Sequence, residues 1–176
     1  MFYVMNVRIE KAFAKLESQR QFIVQKIGVI PEVRYHTSPA DKWAVSQVLT
    51  HLITSEQLSV NYMKKKALGI ENADDSGIVE SLKMILLKVS QRLPLKYQAP
   101  KIIIENTPQP FSLDAAITHW QACRIELRDL ADGIPDRHIR KKIFKHPLAG
   151  RFDVIQAMDF FYEHINHHWP QIKRLM

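Results

Sequence analysis

The chain has 176 residues, 46% of them apolar, a formal net charge of +7 and a single cysteine, Cys123. That length and apolar fraction suit one globular domain over residues 1–176 and exclude wholesale disorder, and a lone cysteine excludes an intrachain disulfide and fits a cytoplasmic protein. No run approaches the roughly 18 apolar residues that span a bilayer, and Arg8, Glu10 and Lys11 break the apolar start too early for a signal-peptide core, so no membrane is expected as partner.

Only five glycines are present, and the apolar spacing is helical almost throughout. A first helix is predicted over Asn6–Ile27, with Phe13, Leu16, Ile23 and Ile27 towards the core and Gly28 and Pro31 as its stop. From Pro31 to Lys42 the chain reads as a connection punctuated by Ser38-Pro39. A second helix runs from Trp43 to Ala67, ending at Gly69. Asn72–Gly77 is a polar turn, and a third helix covers Ile78–Leu93 up to Pro94. The β-branched run Ile102-Ile103-Ile104 lies among Pro94, Pro100, Pro108 and Pro110, which favours an extended connection over a sheet. Ser112 caps a fourth helix that ends near Ala131, with Asp114 at the positive end of its dipole. A basic connection leads to His146-Pro147-Leu148-Ala149-Gly150, and the last helix begins near Asp153. These elements fit an all-α fold, an antiparallel bundle with four helices in the core and one beside them.

The charge says little about function. Lys64–Lys66 and Lys173-Arg174 sit at predicted helix C-termini, where the dipole favours cations. The remaining group, Arg140, Lys141, Lys142 and Lys145, lies in a connection. No nucleic-acid-binding motif is visible, so nucleic acid is not expected as a partner.

The histidines say more. On the last helix Val154, Met158, Phe161, Ile165, His168, Ile172 and Leu175 alternate in steps of four and three, a core stripe with one polar member. His164 lies about 40° from His168 and can still aim inward, whereas His167, about 100° away, falls on the side facing solvent. On the second helix His51 shares a face with Val48, Ser55, Leu58 and Tyr62, so it turns towards the bundle. A neutral imidazole buried there needs a hydrogen-bond partner or a metal. Two histidines four apart and a third from a facing helix would leave a divalent ion one open coordination position, the pattern of catalytic zinc. Spacing supplies these ligands without placing the two helices face to face. His119 and His146 carry the simpler reading of satisfied structural histidines.

The stretch Lys42-Trp43-Ala44-Val45-Ser46-Gln47-Val48-Leu49-Thr50-His51-Leu52 resembles the helix-two motif of the DinB-like (DinB/YfiT) superfamily, a tryptophan followed by an aliphatic helix carrying a histidine. The end of the chain resembles that family's closing helix: His146-Pro147-Leu148-Ala149-Gly150, then His164 and His168 with Gln171-Ile172 three residues on. The resemblance implies an up-down-down-up four-helix bundle, usually dimeric, and a divalent metal, often nickel or zinc, held at positions matching His51, His164 and His168. Two departures stand out. Ala44 replaces the family's capping serine or threonine, leaving Asp41 or Ser38 to cap. Pro170 cannot bond the Asn166 carbonyl, so a kink or a lost bond is expected beside His168.

Imidazole ligands suit zinc, nickel, copper and iron alike. An ion with an open position can activate water, as in a hydrolase, or bind and ionise a low-molecular-weight thiol, as in the S-transferases the resemblance also includes. Ser55 and Tyr62 share the His51 face and are the expected pocket-lining residues, with a core-edge role as the alternative. The sequence names no general base. The competing reading is a non-enzymatic helical binding module with a structural metal or none.

Overall fold

A computed structural model describes residues 6–39, 42–92, 105 and 107–176. Among them the chain forms six α-helices, α1 (Val7–Ile27), α2 (Glu32–His36), α3 (Val45–Ala67), α4 (Ile78–Arg92), α5 (Leu113–Asp132) and α6 (Val154–Leu175), with a hairpin of β1 (Phe144–His146) and β2 (Gly150–Phe152). Two short 3-10 turns, Ile70–Asn72 and Asp136–His138, complete the described elements.

The helix ends follow from local chemistry. Asn6 caps α1 by accepting the Arg8 N–H (2.9 Å). Ser112 caps α5 through the Ala115 N–H (3.3 Å). Asp153 and Gln156 form a reciprocal capping box at α6, with bonds of 2.9 and 3.1 Å. The start of α3 corrects the expectation of a cap from Ser38. Ala44 is the N-cap residue, and its N–H is satisfied from inside the helix by Gln47 Oε1 (2.8 Å); Asp41 lies outside the described residues. So do Leu93, Pro94, Pro100 and Ile102–Ile104, and with them the expected helix stop and extended connection.

Four helices make the core: α1 packs on α6 and α5, and α3 packs on α5 and α6. The expected core residues Phe13, Leu16, Ile23 and Ile27 are buried, as are Val154, Met158, Phe161, Ile165, Ile172 and Leu175 of the last stripe. α4 is the helix beside the bundle and rests on the outer side of α6.

The structure adds two elements that the sequence reading leaves as connection. α2 occupies part of 31–42 and buries Tyr35. The hairpin pairs Phe144 with Phe152 and His146 with Gly150, and both phenylalanines are buried. Three-residue strands are too short for an alternating pattern to show, and the hairpin depends on two buried rings eight positions apart. Its turn closes at Gly150, whose φ of 95° is a conformation that disfavours a side chain. The basic connection is also placed: Lys141 pairs with Asp75, Lys142 with Asp74 and Glu80, and Arg140 donates to the Ser76 carbonyl. Much of that charge is therefore matched to the acidic turn before α4.

Candidate metal centre

His51 lies in the second turn of α3, and His164 and His168 lie one turn apart on α6. The packing of α3 on α6 brings the three rings together, with centroids 5.0–5.3 Å apart. One ring nitrogen from each lies within 4.8 Å of the others. Nitrogens bound to one tetrahedral ion at about 2.0–2.1 Å lie about 3.4 Å apart, so a bound ion would draw the three rings closer. His51 is buried and the other two are half-buried.

Electrostatics keep these imidazoles neutral, as ligands must be. Burial, reinforced by repulsion between the charged forms, lowers His51 and His168 to about 4 and His164 well below its ordinary value. His168 Nδ1 lies 3.1 Å from Gln171 Oε1; with the amide oxygen accepting, Nδ1 carries the proton and Nε2 is left free. The helix continues through Pro170 to Leu175, so Gln171 stays within reach of His168. Aromatic rings wall the cluster. Trp43 meets His51 edge-on at 5.4 Å, and Phe160 stacks on His164 at 5.4 Å.

His146 does not join the cluster. Its Nδ1 accepts the Leu148 and Ala149 N–H groups (3.2 and 3.0 Å), so the ring pins the hairpin turn while packing edge-on against Phe160. Burial lowers it to about 4, so the accepting nitrogen stays unprotonated. The His-Pro-x-x-Gly motif thus has a structural role next to the wall of the centre.

The solvent placement of His167 is corrected. This residue is half-buried, and its Nδ1 lies 2.8 Å from the Gln91 carbonyl at the end of α4, an acceptor that requires Nδ1 to donate. The face of α6 turned from the four-helix core is covered by a fifth helix. The two expected pocket residues separate. Ser55 is buried one turn from His51, with a hydroxyl that has no hydrogen-bond partner among the described residues. Tyr62, about 16 Å along α3 from His51, lines a concavity of about 380 Å³ with Lys66, Asn72, Lys142 and Arg151. A second concavity, about 420 Å³, lies between α1 and α6 at Gln19, Phe22, Tyr162, Asn166 and Trp169 and includes none of the three histidines. Gln171 and Phe160 are site residues that sequence reasoning did not assign. Gln171 was present in the closing motif, but its partner shows only in the packed helix.

A family model for the DinB superfamily matches residues 15–172. The chain belongs to the DinB superfamily. No curated protein and no solved structure matches it. The match contains all of α3, α4 and α5, most of α1 and α6 and all three clustered histidines of this DinB-superfamily chain, and no described helix is long and apolar enough to cross a membrane.

Proposed function

We propose that this chain is a metal-dependent enzyme in which His51, His164 and His168 hold one divalent ion, nickel or zinc, with an open position for a small-molecule substrate. The convergence of three neutral imidazoles from two helices carries this reading. When bound, such an ion supplies an electrophile that ionises water, for hydrolysis, or a low-molecular-weight thiol, for S-transfer. The protein's own contribution is to hold the ligand lone pairs free by burial, orient His168 through Gln171, and shield the centre with Trp43 and Phe160. The unpartnered Ser55 hydroxyl, one turn from His51 on α3, is the polar group we assign to the pocket lining. Residues 1–176 are read as one cytoplasmic domain, and the family resemblance adds a homodimer. A structural metal in a binding module is the second reading, favoured by the aromatic rather than acidic or basic surround of the histidines.

Metal content of untagged protein tests this, alongside a His51→Ala/His164→Ala/His168→Ala variant. The expected result is about one ion per chain, lost in the variant while helical content is kept. Protein that stays metal-free after addition of zinc or nickel would sink the proposal. In cobalt-substituted protein, a spectral change on adding a small thiol supports S-transfer chemistry, and an unchanged spectrum supports water as the activated ligand.

A further inference from the structure

The groove between α1 and α6 is walled by aromatic rings and rimmed by cations. Gln19 Nε2 donates to the Tyr162 carbonyl (3.1 Å) and to Asn166 Oδ1 (2.7 Å), so the two helices are tied together across its floor. Phe22 of α1 and Trp169 of α6 meet edge-on at 5.4 Å, and Tyr162 supplies a third ring. The hollow they enclose, about 420 Å³, falls within the range of small-molecule sites, about 300–1,000 Å³. Its α6 residues Tyr162, Asn166 and Trp169 centre about 150° around the helix from His164 and His168, so it is not the mouth of the metal centre.

Three aromatic rings alone would suit a cation, but lysines already hold those positions. Lys15 Nζ stands 3.8 Å from the centre of the Tyr162 ring, and Lys26 and Lys173 stand 5.6 and 5.9 Å from the Phe22 and Trp169 rings. None of the three is in an ion pair among the described residues; Lys15 attracts Glu163 only from beyond pairing distance. The nearby carboxylates of α6 are engaged by α4, Asp159 with Lys88 and Glu163 with Arg92, both at 2.7 Å. On α1, Glu10 and Glu17 lie about 150–170° around the helix from the Lys15, Gln19 and Phe22 face. Three positive charges therefore surround an aromatic hollow that no free carboxylate enters.

A neutral or cationic occupant leaves that rim unanswered. A flat ring system with one anionic group answers both parts. Its ring packs against Tyr162, Phe22 and Trp169, and its anion accepts charge-assisted hydrogen bonds from ammonium groups that move off the ring faces on long, flexible stems. We propose that the α1–α6 groove is a binding site for a small aromatic anion, an arene carrying a carboxylate or a phosphate. The site is separate from the three histidines and takes nothing from the proposed metal chemistry.

Proton–nitrogen correlation spectra of the full chain titrated with naphthalene carboxylate, with and without zinc, test the proposal. The chain has three tryptophans, and Trp169→Phe assigns the Trp169 indole N–H by the signal it removes. The expected result is a saturating Trp169 shift that zinc does not alter, with the core residue Trp120 unmoved. Lys15→Met/Lys173→Met keeps the aromatic walls and should weaken binding about fivefold or more, and the neutral naphthalene carboxamide should bind wild type more weakly by a similar factor. Naphthyl phosphate run in parallel separates the two anion types, the tighter binder naming the headgroup. Equal affinity for the acid and the amide would overturn the assignment of an anion. A Trp169 signal that stays fixed at millimolar ligand would overturn the site itself. A shift confined to Trp43, beside His51, would also overturn the groove and place the anion at the metal centre instead.

Discussion

Replacing Glu56 by leucine is the perturbation whose cost follows most directly from the packing. Glu56 on α3 and Arg124 on α5 are 4% and 1% exposed and pair across the core at 3.0 Å. Glu56 Oε2 also accepts the Trp120 indole N–H (3.2 Å). The other groups of the pair, Glu56 Oε1 and Arg124 Nε and Nη1, are buried with no hydrogen-bond partner among the described residues. Burial pushes the Glu56 carboxyl up, while Arg124 and Trp120 pull it back down. The pair is therefore an expensive arrangement kept in balance by its own attraction. Glu56→Leu leaves the guanidinium buried without a hydrogen-bonded carboxylate. Glu17 attracts Arg124 from farther off, but both its oxygens are engaged by Arg20 at 2.9 and 2.6 Å. The expected loss is about 3–5 kcal/mol, a third or more of a typical domain's stability. Glu56→Leu/Arg124→Met removes both desolvation costs but leaves the buried Trp120 N–H unpaired, so it should recover to within about 1–3 kcal/mol of wild type. Urea unfolding followed by far-UV circular dichroism measures both. A single variant that loses less than about 1 kcal/mol, or a double variant as unstable as the single, would refute the reasoning.

Acid should weaken the hairpin through His146. Its folded value of about 4 lies below the ordinary 6.5, so the unfolded chain binds the proton first. The stability it contributes is complete above pH 6.5 and is lost as pH falls towards 4, at about 1.4 kcal/mol per unit. Wild type should accordingly lose about 2–3 kcal/mol relative to His146→Asn between pH 6.5 and 4.5; parallel pH–stability curves for the two proteins would contradict this. Gly150→Ala forces a side chain to a φ of 95° and should cost about 1–2 kcal/mol in thermal or urea unfolding. A change within about 0.5 kcal/mol would mean that the turn relaxes freely.

Much of the architecture is legible because helix signals are local. Ser112 caps where cap chemistry expects, α1 and α6 start beside the expected Asn6 and Asp153, and the four-and-three alternation of α6 marks its buried face before any packing is known. The same periodicity separates His164 and His168 from their neighbours on one helix, and the paired motifs carry the family. Properties that require a second element were not legible. Whether His51 meets the other two histidines depends on how α3 packs on α6, and spacing along one helix contains no information about a facing one. His167 illustrates the limit: its angle on α6 is right, but the side turned from the core is occupied by α4 and its Gln91 carbonyl. Ala44 likewise relies on Gln47 once the backbone has turned. Sequence by itself determined the helices, their buried stripes and the inward histidines of α6, because backbone hydrogen bonding and side-chain period are set over a few residues. Only the tertiary structure decided which helix faces which, and with it the meeting of the three imidazoles, the hairpin pinned by His146 and the aromatic groove between α1 and α6, because those depend on contacts between residues far apart in the chain.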